Sequence, residues 1–110
     1  MNDKPWIDIT AADAQAARDF YAELFGWRLQ LLEAANYALV EPGPGGIGQA
    51  DATHPRGIVT YFPVDDVEAT LARAVELGAR ADTPPWTVPG LGTMAIFVDR
   101  DGNRVGLWKD

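Results

Sequence analysis

Asp13-Ala14-Gln15-Ala16 is echoed 53 positions later by Asp66-Val67-Glu68-Ala69, and Glu23-Leu24 is echoed by Glu76-Leu77 at the same offset. The glycine after each pair follows one step out of phase, Gly26 against Gly78, because Phe25 is an extra residue. No other feature constrains the fold as much. At 110 residues the chain is long enough for one real core and too short for two independent ones. The repeat therefore predicts a single domain, residues 1–110, made of two like modules, 1–52 and 57–110. Two half-sites in one chain invite a ligand between them.

Each half reads the same way. Trp6 to Thr10 alternates apolar and polar residues as a strand should. Asp13 is placed to cap a helix running to Phe25, with Ala17, Phe20, Tyr21, Leu24 and Phe25 at three- and four-residue spacing and Gly26 as its stop. Trp27–Leu32 and Tyr37–Glu41 read as a strand pair turning at Ala34-Ala35-Asn36. Pro42-Gly43-Pro44-Gly45-Gly46 reads as a loop before a short strand, Ile47 to Ala50. Asp51 to Arg56 is the expected linker. The pattern then restarts: a strand from Gly57 to Val64, then a helix from Asp66 to Leu77 with Val67, Leu71, Ala74 and Val75 inward. A strand begins at Arg80–Thr83, followed by a stiff insert at Pro84-Pro85-Trp86-Thr87-Val88-Pro89-Gly90. Strands at Thr93–Val98 and Arg104–Trp108 flank the turn Asp99–Asn103. The pattern is βαβββ twice, an α+β plan with helices on one side of an antiparallel-rich sheet.

Sixteen acids against nine bases give a net charge of −7, which opposes nucleic-acid binding and mildly favours a cationic or neutral ligand. No apolar run reaches the roughly 18 residues of a membrane helix, and no basic-then-apolar leader is present. Cysteine is absent, which excludes thiolate chemistry and fits a reducing compartment. A cytoplasmic protein with no nucleic-acid and no membrane partner is expected.

Asp19-Phe20-Tyr21-Ala22-Glu23-Leu24-Phe25-Gly26-Trp27 resembles the first-helix signature of the vicinal oxygen chelate superfamily, also called the glyoxalase, bleomycin-resistance and extradiol-dioxygenase family. Val64-Asp65-Asp66, followed by a helix ending Glu76-Leu77-Gly78-Ala79, resembles that family's second-module helix. Asp99-Arg100-Asp101-Gly102-Asn103-Arg104-Val105-Gly106-Leu107-Trp108 resembles its final hairpin. The resemblance implies two βαβββ modules forming a curled, antiparallel-rich mixed sheet with the helices outside, a small molecule bound in the cup, and a homodimer.

Metal-using members of that family carry His or Glu at four equivalent positions, in the first and last strand of each module, where an open-sided divalent ion polarises vicinal oxygens. The resemblance matches those positions to Trp6, Val59, Gly106 and a residue near Gly48, with Gln49 beside it. Trp, Val and Gly side chains ligate no metal, so no metal and no cofactor is expected. The single histidine, His54, falls in the linker; Asp8, Glu41 and Asp51 could build a carboxylate site with it, or it is a solvated loop residue. The Asp99/Asp101/Gly102 turn resembles half a calcium loop without the later ligands.

Alternation along strands then predicts what fills the cup. Trp6, Asp8 and Thr10 share one face, as do Val59, Tyr61 and Pro63, and as do Gly106 and Trp108. The expected ligand-binding set is Trp6, Asp8, Tyr37, Gln49, Tyr61, Trp86 and Trp108, with glycines at two former ligand positions leaving space. Asp8 is costly to bury alone; it either pairs with Arg28, Arg104 or Lys109, or meets a ligand. Such a set suits an aromatic or cationic small molecule bound by stacking and cation–π attraction. The alternative is a metal-independent isomerase, cyclase or lyase using Asp8, Tyr61 or Glu41 as acid or base.

Overall fold

The computed structural model describes residues 4–110. The chain divides into two compact units, one spanning Trp6–Ile58 and the other built on Val59–Asp110. The first runs β1 (Trp6–Ala11), α1 (Ala14–Phe25), β2 (Arg28–Leu32), β3 (Tyr37–Glu41) and β4 (Gly45–Gln49). The second runs β5 (Gly57–Pro63), α2 (Val67–Glu76), β6 (Arg80–Val88), β7 (Gly92–Val98) and β8 (Arg104–Lys109). Both follow one topology. The first strand pairs in parallel with the last (β1 with β4, β5 with β8), and the other two continue outward antiparallel. The α+β plan of two βαβββ modules is thus what the sequence forms.

The helices start where the repeat predicts. Asp13 and Asp66 hold extended backbone, and their carboxylates accept from Ala16 N (3.1 Å) and Ala69 N (3.0 Å), satisfying donors that a helix's first turn leaves open. Gly26, at φ 70°, ends α1 in the left-handed region that glycine enters without strain.

Each module has its own core between helix and sheet. In the first, Ile9, Val40 and Ile47 pack with Ala17, Tyr21, Trp27 and Leu29. In the second, Val67, Leu71, Ala95 and Leu107 pack with Val64 and Phe97. The helical faces differ from expectation in part. The residues of α1 turned inward are Ala14, Ala17, Arg18 and Tyr21, whereas Phe20, Leu24 and Phe25 are more than half exposed. On α2, Val75 is about half exposed.

Two stretches expected to be irregular are strands. β4 begins at Gly45, inside the predicted Pro-Gly loop. Its glycines are paired on both sides, by β1 (Ile7 with Gly45, Asp8 with Gly46) and by β3 (Leu39 with Gly46). The Pro84–Val88 insert belongs to the nine-residue strand β6. This strand pairs with β7 and shifts register between Ala81 and Thr83 and again between Thr83 and Trp86. Within its module β6 is the outermost strand, where a proline's missing N–H costs no ladder bond.

Candidate functional site

Strand alternation places Trp6, Asp8 and Thr10 on the face of β1 away from α1, and Tyr37, on β3 beyond the intervening β4, reaches the same face across Gly48. The hydroxyl of Tyr37 donates to Asp8 Oδ1 at 2.7 Å, and the hydroxyl of Thr10 donates to Asp8 Oδ2 at 2.8 Å. The indole Nε1 of Trp6 donates to Tyr37 Oη at 3.0 Å. Both oxygens of a half-buried carboxylate are therefore engaged by hydroxyls. These bonds orient the carboxylate. Arg28 and Arg104, two of the partners expected for Asp8, are held instead by Glu41 (3.4 Å) and Asp82 (3.1 Å).

Tyr37 is fixed from behind. The preceding residue, Asn36, adopts the left-handed conformation (φ 47°) that closes the β2–β3 turn. Arg18, buried on α1, donates through Nη2 to both the carbonyl and the side-chain oxygen of Asn36 at 3.0 Å. Arg18 and Thr10 were not among the predicted site residues. Thr10 was detectable from its period-two relation to Asp8; the long-range Arg18–Asn36 tie leaves no local signal.

In the second module the predicted residues also share one face, and it is closely packed. Tyr61 and Trp108 are 5% and 4% exposed. Trp86 meets the edge of Tyr61 at a centroid distance of 6.3 Å. Met94 stands between Trp86 and Trp108 in register on β7. These rings form a continuous apolar wall.

The glycines at positions that the resemblance matches to metal ligands do not leave space. Tyr37 is the register partner of Gly48, and its ring also covers Gly46; a Cβ on either glycine would run into it. Tyr61 is the register partner of Gly106 and covers it in the same way. Of the other two positions, Trp6 gives its N–H to Tyr37 and Val59 is buried. Among the described residues no three His, Cys, Asp or Glu side chains are grouped so as to hold a metal ion. The residues at the four positions do not fit a metal.

The remaining candidates lie elsewhere. Gln49 turns to the opposite face from Gly48. Its Oε1 accepts from Ala14 N (3.1 Å) and its Nε2 donates to Ala12 O (2.7 Å), so it anchors the start of α1. Glu41 is exposed and paired with Arg28. Asp51 sits in the linker turn with His54, and the backbone N–H of His54, then that of Thr53, hold its carboxyl below the usual range. Asp99 is likewise lowered, first by the side chain of Asn103 and then by backbone N–H groups of the turn. These bonds account for its carboxylate without a calcium ion.

A family model described as the Glyoxalase/Bleomycin resistance protein/Dioxygenase superfamily matches residues 5–107. CFP32 of Mycobacterium tuberculosis, whose name proposes it as a glyoxylase, is 30% identical over 118 residues, covering 94% of this chain and 44% of its own length. The anthracycline biosynthesis protein DnrV of Streptomyces peucetius is 28% identical over 125 residues, covering 94% and 46%. The chain thus spans less than half the length of these relatives. Among solved structures, a superfamily member from Vibrio splendidus 12B01 superposes with a TM-score of 0.69 at 13% identity, covering 97% of this chain and 98% of that one. The Mn(II)-bound glyoxalase from Novosphingobium aromaticivorans superposes with a TM-score of 0.64 at 23% identity, covering 98% of this chain and 38% of that one. At such identities the likeness is one of fold.

Proposed function

This chain belongs to the glyoxalase/bleomycin resistance protein/dioxygenase superfamily, and from that premise we propose that it is a small-molecule-binding domain that works without a metal ion. The ligand is aromatic or cationic and lies against the Trp6–Asp8–Tyr37 face. One observation carries the reading: an indole stands on β1 beside a carboxylate that Tyr37 and Thr10 orient, at a position the family resemblance matches to a metal ligand. A flat cation gains from both groups, by stacking on the ring and by charge attraction to Asp8, the cation–π part being worth about 0.5–2 kcal/mol. A relative named as an anthracycline biosynthesis protein supports an aromatic small molecule as the ligand. Titration of tryptophan fluorescence with aromatic amines and with their neutral analogues tests this. Saturable quenching that weakens in Trp6→Ala and Asp8→Asn supports it, and an unchanged emission across the panel overturns it. A homodimer is part of the proposal, and sedimentation tests it.

The 2.7 Å bond between Tyr37 and Asp8 supports a second reading, a metal-independent enzyme in which this pair moves a proton. Tyr61, packed over Gly106, and Glu41, exposed on Arg28, suit that role less. Turnover that disappears in Asp8→Asn while ligand binding persists would favour it.

A further inference from the structure

On the helix side of the first module, behind Asp8, lies a cavity of about 140 Å³ walled by Ile7, Ile9, Trp27, Val40, Pro42 and Pro44. Ile7 and Ile9 flank Asp8 on β1, so alternation places the cavity on the opposite face of that strand from the carboxylate. Its walls offer little to water. The prolines have no N–H, and the N–H of Ile7 is committed to Pro44 O at 3.3 Å. The pocket is open on one side, and its volume is close to that of an apolar cavity, about 150 Å³, that accepts benzene.

The backbone keeps the space from being filled. A Cβ on Gly45 would meet the carbonyl oxygen of Ile7 at 2.5 Å. One on Gly43, at φ +61°, would meet that of Val40 at the same distance. Neither position can carry a side chain into the cavity. Trp27 supplies an aromatic wall and is itself propped by Phe25, with centroids 4.8 Å apart. Rings prefer the edge or offset face of another ring.

We propose that this cavity is a second binding site, for one benzene-sized aromatic group, on the face of β1 opposite Asp8. The shape, the mostly apolar lining and the indole wall select a neutral aromatic over a polar or charged molecule. The site is independent of the Asp8 face and does not rest on the reading given to it above.

Benzene itself is the probe. In a titration of methyl-labelled protein followed by NMR, the methyl groups of Ile7, Ile9 and Val40 and the indole N–H of Trp27 shift together and saturate. Cyclohexane at equal activity produces a smaller shift at Trp27. Ile7→Phe, which enlarges a half-exposed side chain at the mouth, abolishes the shifts; if that variant does not fold, Val40→Leu, which adds one methylene to the wall, weakens them. Three outcomes overturn the proposal. One is no saturable shift up to benzene's solubility limit. Another is shifts spread equally over the exposed Phe20 and Leu24. The third is undiminished shifts in a folded Ile7→Phe or Val40→Leu protein.

Discussion

The ring of Tyr61 lies over Gly106, its register partner on β8, as that of Tyr37 lies over Gly48, its partner on β4. The two modules thus share a device in which an aromatic ring covers the bare backbone of a glycine on the neighbouring strand. The same rings occupy the room that a longer side chain at either glycine would need. Gly106→Ala is expected to cost about 1–3 kcal/mol through overpacking, measured by chemical denaturation. Tyr61→Ala is costly alone, yet combining the two should cost less than the sum of the single losses, since the collision is then gone.

Tyr37→Phe removes a donor from Asp8 and an acceptor from Trp6. It should destabilise the protein by about 1 kcal/mol and shift the emission of Trp6. Comparing spectra in the Trp6→Phe background assigns the change. If Tyr37→Phe leaves stability and emission untouched, the network does not organise this face.

Arg18 is a buried guanidinium whose Nε has no hydrogen-bond partner, and no carboxylate of the described residues forms an ion pair with it. Its measurable value then lies in its packing and its two bonds to Asn36 more than in its charge. Arg18→Ala should cost about 2–3 kcal/mol by loss of both. Arg18→Met keeps the stem and discards an ill-solvated charge, and should cost clearly less.

Gln49→Ala breaks the anchors to Ala14 N and Ala12 O. A loss of about 1–2 kcal/mol is expected, with ligand affinity unchanged because the amide faces away from Asp8. A large fall in affinity with intact stability would return Gln49 to the binding set.

The lowered carboxyl of Asp99 makes an acid-limb prediction. Its folded pKa lies below the ordinary carboxylate value, so the folded state binds its proton less tightly than the unfolded chain. Its contribution is complete above the unfolded pKa and disappears as pH falls through the lower, folded value. Thermal midpoints of wild type and Asp99→Asn, followed from about pH 5 to about pH 2, should converge as acid is added.

Much of this could be read from residues alone because the signals are local. Asp13, Asp66 and Gly26 cap where a carboxylate or a left-handed turn is needed, and alternation groups Trp6 with Asp8. The misses have a common cause, which is that a neighbouring strand decides the outcome. Gly45 and Gly46 form a strand because β1 pairs with both and β3 with Gly46. Pro84 and Pro85 join a strand because it is outermost in its module. The space over Gly48 and Gly106 is closed by rings far away in sequence. Gln49 sits one residue from a glycine of the opposite face, and in a strand that single step reverses direction.

β6 carries a further consequence. An exposed outer strand ordinarily offers a ladder onto which another chain can add itself. Here Pro84 and Pro85 interrupt the row of N–H groups, and two slips of register twist what is left out of line. A second molecule finds no continuous template along this border, so concentrating the protein should not extend its sheets from that side.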